Sequence, residues 1–154
     1  MADGEKKRRR GPLKPSDAKS VLVRADGTPP TALVVDDEAG MRDMLRTTLT
    51  VEGWTVEEVA TGEEAIEAWK RTTPDVVLLD QNLRTMSGLE CASRLRVLSD
   101  ETRIILFSGY LDAEASKEAR RLRLLPMPKT DQPRLLELLT VLAEQVGGTP
   151  SALG

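Results

Sequence analysis

From Thr31 onward, short apolar runs alternate with longer stretches in which apolar residues recur every three or four positions. Ala32-Leu33-Val34-Val35 stops abruptly at Asp36-Asp37-Glu38, the pattern of a buried strand that ends in acid. Met41, Met44, Leu45 and Leu49 then follow at helical spacing, and Gly53 closes that helix. Residues 54–59 alternate as a strand. Thr61 followed by Glu64 forms a capping box, which predicts a helix through Ile66 and Trp69. Pro74-Asp75 introduces Val76-Val77-Leu78-Leu79, a second continuously apolar strand, which ends at Asp80. A loop runs to Gly88, Leu89 to Leu98 reads as a helix, and Arg103 to Phe107 is a strand ending at Ser108-Gly109. Asp112 to Leu122 is helical by the same spacing. Residues 124–128 make a poor strand, because Pro126 and Pro128 cannot donate ladder hydrogen bonds, and their place is a short edge strand. Pro133 opens a last helix carrying Leu135, Leu138, Leu139 and Leu142.

Five strand–helix alternations at short spacing predict an α/β domain: a doubly wound, five-stranded parallel sheet with helices on both faces. The domain is expected over residues 31–146, after a disordered basic arm at 1–30 and before a flexible tail at 147–154. Composition fits this picture. Aromatic residues are only 3% of the 154, so the core must be branched aliphatics, as in a buried parallel sheet. Charge is divided unevenly along the chain. Residues 1–30 hold eight Lys/Arg against four Asp/Glu, and residues 31–154 hold fourteen against twenty-one. A basic segment, with Lys6 to Arg10 at its centre, is therefore joined to an acidic domain.

What is missing narrows the chemistry. There is no histidine, which excludes His-based triads, His-rich zinc sites and a histidyl phosphodonor within the chain. A single cysteine, Cys91, excludes an internal disulfide and fits a reducing cytoplasm. No apolar run approaches a membrane span, and no apolar stretch follows the basic segment as in a signal peptide. A cytoplasmic location is expected.

In open α/β sheets, ligands sit beyond the carboxyl ends of the strands. Those ends carry Asp36-Asp37, Asp80 and Ser108, and Lys129 follows the last strand. Each residue alone is ordinary, since an Asp at a strand end commonly caps the next helix. Together they describe one site. Three carboxylates at one edge repel each other unless a cation lies among them, and oxygen-only donors favour a hard ion, Mg2+ or Mn2+. Lys129 adds a positive charge and Ser108 a hydroxyl, so metal, ammonium and hydroxyl could each meet a phosphoryl oxygen. An Asp carboxylate is a competent nucleophile for an aspartyl-phosphate.

The set Asp36-Asp37, Asp80, Gly88 eight residues later, Ser108 and Lys129 resembles the receiver domain of two-component response regulators, a flavodoxin-like fold, over about residues 31–146. The resemblance implies that Asp80 accepts the phosphoryl group from a histidine kinase or a histidine phosphotransfer protein. It implies that Asp37, Asp80 and the main-chain carbonyl of Asn82 bind Mg2+, with Asp36 acting through a water on the ion. Ser108 and Lys129 would contact the phosphoryl oxygens, and Gly109 would leave the approach open. Tyr110 and Asn82 occupy positions that tune the phosphoryl lifetime in such domains. The sequence also departs from the family. Leu83-Arg84 replaces the usual Met-Pro after the acceptor, and Thr130 replaces a proline after the lysine, so a trans Lys129–Thr130 bond is expected. Pro126 stands where a switch aromatic commonly sits, so the usual coupling cannot run through that position.

The function expected is a stand-alone receiver that signals by protein contact or phosphorelay, without enzymatic turnover beyond its own phosphotransfer and dephosphorylation. The alternative is a degenerate receiver acting as a phosphorylation-independent binding module, with Lys6 to Arg10 meeting an anionic partner. A phosphatase of the haloacid-dehalogenase type is discounted, because it wants Asp-x-Asp-x-Thr after the first strand and a cap domain. Sequence-specific DNA binding is not expected. The oligomeric state stays open at this level.

Overall fold

The computed structural model describes residues 27–129 and 131–147. The basic segment, Thr130 with its peptide bond to Lys129, and the last seven residues lie outside the described residues, as do the expectations attached to them. Ten elements alternate in chain order: β1 (Thr31–Val35), α1 (Ala39–Val51), β2 (Thr55–Val59), α2 (Gly62–Thr72), β3 (Val76–Asp80), α3 (Gly88–Leu98), β4 (Arg103–Ser108), α4 (Ala113–Arg121), β5 (Leu125–Pro128) and α5 (Gln132–Gly147). The strands form one parallel sheet in the order β2-β1-β3-β4-β5. β3 is central, and all five of its residues are buried.

The period of two along each strand sorts the core into two layers. Ala32, Val34, Leu78, Ile105 and Phe107 face α1 and α5, which meet them with Leu45, Leu49, Leu135 and Leu139. Leu33, Val35, Val77, Leu79 and Leu106 face α2, α3 and α4. These three helices contribute mainly small residues, Ala65, Ala68, Ala92, Cys91 and Ala119. Two helices on one face leave room for leucines, whereas three side by side need alanines to approach the sheet closely. Each fully buried leucine stabilises the fold by about 1.5–3 kcal/mol relative to exposure.

Local signals end the helices where the sequence predicts. After α1, Gly53 adopts φ 101°, its N–H donates to Thr50 O at 3.0 Å, and the Trp54 N–H donates to Leu49 O at 3.0 Å. This double closure needs a left-handed residue, which glycine supplies without strain. At α2 the Thr61 hydroxyl accepts from the Glu64 N–H at 3.1 Å, while the Glu64 carboxylate accepts from Ala60 rather than from Thr61, at 3.0 Å.

β5 resolves the problem of its two prolines. Lys129 N–H donates to Ser108 O at 2.9 Å, and successive main-chain donors alternate sides. The nitrogens of Pro126 and Pro128 therefore face away from β4. The prolines occupy the positions whose N–H groups would otherwise line an open edge, so the strand pairs inward and offers no donor outward.

Candidate functional site

Because the sheet is parallel, the carboxyl ends of β1, β3, β4 and β5 open on one side. Register brings them level: Val35 pairs with Leu79, Asp80 with Phe107, and Ser108 with Pro128. Asp36 follows β1 and extends its ladder through an N–H donated to Val59 O at 3.2 Å. Asp36, Asp80 and Ser108 are 1%, 2% and 3% exposed, so three polar side chains are held in the rim of the apolar core. Asp37 is more open, at 23% for its side chain.

One carboxylate oxygen from each of Asp36, Asp37 and Asp80 lies within 4.8 Å of the others. Lys129 Nζ stands 3.2 Å from Asp80 Oδ1 and 3.5 Å from Asp36 Oδ2. Asp36 is also tied locally: its Oδ1 accepts from the Glu38 N–H at 2.9 Å, and its carbonyl accepts from Arg42 Nη1 at 2.7 Å. Its Oδ2 is buried and accepts no hydrogen bond. Burial, and then repulsion from Asp36, holds the Asp80 carboxyl above the usual range despite the Asn82 N–H and Lys129. Burial pulls Lys129 down, but the charges of Asp80 and Asp36 outweigh it and raise the ammonium above its ordinary value.

This donor set fits a hard divalent ion. Every donor is oxygen, one buried oxygen lacks a hydrogen bond, and negative charge exceeds positive. Two oxygens on opposite sides of one Mg2+ stand about 4.2 Å apart at most, so the observed cluster is close to the spacing a single ion requires. Asn82, the expected main-chain ligand, lies directly above: its N–H donates to Asp80 Oδ1 at 3.2 Å, folding the loop back over the carboxylate.

Gly88 explains how tightly that loop returns. A Cβ there would stand 2.4 Å from Asp80 O and 2.8 Å from Gln81 Cα, so α3 begins against the backbone of Asp80 and Gln81. The Gly88 N–H donates to Gln81 O at 2.9 Å, and Gln81 Oε1 accepts from the Leu89 N–H at 2.9 Å. At Gly109, by contrast, an added Cβ meets nothing within 4 Å.

Ser108 and Tyr110 are linked to each other. The Ser108 hydroxyl donates to Tyr110 O at 3.1 Å, and the Tyr110 N–H approaches Ser108 Oγ at 3.3 Å. To meet a group bound at Asp80, the hydroxyl must exchange the first of these bonds. The Tyr110 side chain is 78% exposed and, with Ser108, Pro126 and Pro128, lines a groove of about 370 Å³ beside β5. The position expected to hold a switch aromatic is thus filled by Pro126 on the wall of this groove.

The structure gathers Asp36, Asp37, Asp80 and Lys129 directly, with Asn82 and Ser108 at their edge. It also reveals a residue that sequence reasoning treated only as a departure. Arg84, in the place of the usual proline, reaches back to Asp37, its Nε 3.7 Å from Oδ2. Cys91 is buried and its thiol is pushed up to about 12, first by burial, so it is chemically quiet.

Residues 32–125 match the model of the response regulator receiver domain. The probable transcriptional regulatory protein TcrX of Mycobacterium tuberculosis is 48% identical over 75 residues, 49% of this chain and 32% of that protein. The chain therefore spans about a third of that relative's length. Sporulation initiation phosphotransferase F of Bacillus subtilis is 31% identical over 90 residues, 58% of this chain and 73% of that protein. Among solved structures, the chemotaxis protein CheY4 of Vibrio cholerae aligns with a TM-score of 0.68 at 28% identity, covering 73% of this chain and 98% of that one.

Proposed function

We propose, from the premise that this chain belongs to the response regulator receiver family of two-component systems, that it accepts a phosphoryl group on Asp80 from a histidine kinase or a histidine phosphotransfer protein. The carboxylate oxygen of Asp80 attacks phosphorus, the P–N bond to the donor histidine breaks, and the leaving imidazole takes a proton from solvent. Asp36, Asp37, Asp80 and the main-chain carbonyl of Asn82 would hold Mg2+ or Mn2+, which when bound neutralises charge on the phosphoryl oxygens. Lys129 orients the acceptor carboxylate before reaction and meets a phosphoryl oxygen after it. Ser108 gives up its bond to Tyr110 O and donates to another. Tyr110 and Asn82, at the mouth, govern access of the water that hydrolyses the product.

The observation that carries this reading is the convergence of three carboxylates at the strand ends, two of them on Lys129, with one buried carboxylate oxygen lacking a hydrogen bond. The chain would act as a separate receiver, signalling by protein contact or relay from the cytoplasm. A sporulation phosphotransferase and a chemotaxis protein, of which the chain covers 73% and 98%, support that mode. Among the described residues no helix is long and apolar enough to cross a membrane.

Beryllofluoride with Mg2+, a mimic of the phosphorylated acceptor, tests the reading. Amide resonances around Asp80, Ser108 and Lys129 should shift in the wild type and remain unmoved in Asp80→Asn. A wild-type spectrum indifferent to beryllofluoride would instead identify a binding module that works without phosphorylation.

A further inference from the structure

The three carboxylates are shared between two cations of different character. Lys129, 21% exposed, stands inside, 3.2 Å from Asp80 and 3.5 Å from Asp36. Arg84, 78% exposed, stands outside, 3.7 Å from Asp37. The distance is too long for a hydrogen bond, so this outer pair is a charge contact at the mouth of the cluster. It is nevertheless positioned, because the loop is anchored on both sides of Arg84. Leu83 packs against the layer under α2, α3 and α4, the Thr85 hydroxyl donates to Glu63 Oε1 at 2.7 Å, and Met86 is 6% exposed.

We propose that Arg84 is a tethered cation that competes with the divalent ion for Asp37, lowers the affinity of the site for that ion, and swings into solvent when the ion binds. The inference rests on reading the cluster as a divalent-cation site. Asp37 is the most exposed of the three carboxylates, and a divalent ion that takes its oxygen displaces the weaker, solvent-screened guanidinium contact. A proline at this position would leave Asp37 unpaired. The side chain found here couples occupancy of the ion site to the placement of a charge on the surface that a phosphodonor approaches.

The test is an NMR titration of the full chain with MgCl2 at low ionic strength. The variants are Arg84→Ala, Arg84→Lys and Arg103→Ala, the last removing an exposed arginine at the opposite end of the sheet. Arg84→Ala should bind Mg2+ about two- to fivefold more tightly than wild type, the range expected for losing one exposed ion pair. Arg84→Lys and Arg103→Ala should stay at the wild-type value. In the wild type, the Arg84 Nε–Hε resonance should move as Mg2+ saturates. Equal affinity of Arg84→Ala and wild type, an equal gain from Arg103→Ala, or an unmoved Nε–Hε resonance overturns the proposal and leaves the ion site standing. A wild type that binds no Mg2+, indistinguishable from Asp80→Asn, overturns the ion site and this proposal together.

Discussion

Asp75, just before the central strand, and Asp80, its last residue, meet opposite fates. At the amino end, the Thr31 N–H and hydroxyl both donate to Asp75 Oδ2, at 2.8 and 3.1 Å, and Asp75 N–H donates back to Thr31 O at 3.0 Å. Nearby, Arg96 spends its guanidinium on main-chain carbonyls, with Nε on Leu122 O at 2.8 Å, Nη1 on Thr102 O at 2.6 Å and Nη2 on Arg123 O at 3.2 Å. The Thr102 hydroxyl accepts from Trp69 Nε1 at 3.1 Å. At the carboxyl end, Asp80 shares one ammonium with Asp36, and a buried Asp36 oxygen accepts no hydrogen bond. Asp75, Arg96 and Thr102 at the first end find partners within the chain, which adds stability and leaves little for a ligand, and the one buried donor there without a partner is the uncharged Trp54 Nε1. The second end retains unmatched negative charge, which costs stability and creates affinity for a cation.

The largest expected effect concerns how closely the carboxyl end is built. Gly88→Ala drives a Cβ into the Asp80 and Gln81 backbone and should cost about 3 kcal/mol in urea unfolding. Gly109→Ala, whose added Cβ would meet nothing within 4 Å, should leave the urea midpoint unchanged. A neutral Gly88→Ala would show that this end tolerates slack. Next comes the amino end itself. Arg96→Ala strips donors from four carbonyls and should cost about 2 kcal/mol while leaving Mg2+ affinity intact. A change in that affinity would deny that the two ends are independent.

The smallest effect has the opposite sign. Asp80→Asn should slightly stabilise the metal-free protein at neutral pH, since it removes a carboxylate held above its usual range by burial and by Asp36. A raised folded-state value means that the penalty is complete above that value, fades as pH falls from it towards about 4, the unfolded carboxylate value, and is gone below that, where both states are protonated. The gain should therefore vanish in acid, and saturating Mg2+ should reverse the ranking of the two proteins. Asp75→Asn, at the other end of the strand, should destabilise at neutral pH instead. Thermal unfolding across pH 3–8 reads all of these, and a destabilised metal-free Asp80→Asn would refute the contrast between the ends.

Much of this molecule was legible along the chain. The apolar runs at 32–35 and 76–79, the turn at Gly53 and the Thr61–Glu64 cap act over a few residues, so propensity and periodicity expose them directly. The acids at the strand ends were visible for the same reason, because a buried run that stops at a carboxylate marks the edge of the sheet. Tertiary structure decided what depends on register and crossing. It set the order β2-β1-β3-β4-β5, turned the nitrogens of Pro126 and Pro128 outward, brought Arg84 over Asp37 and gave Arg96 its carbonyls. Local sequence places a charge on an element, whereas its partner is chosen by which other elements end beside it, and no short-range pattern encodes that neighbourhood.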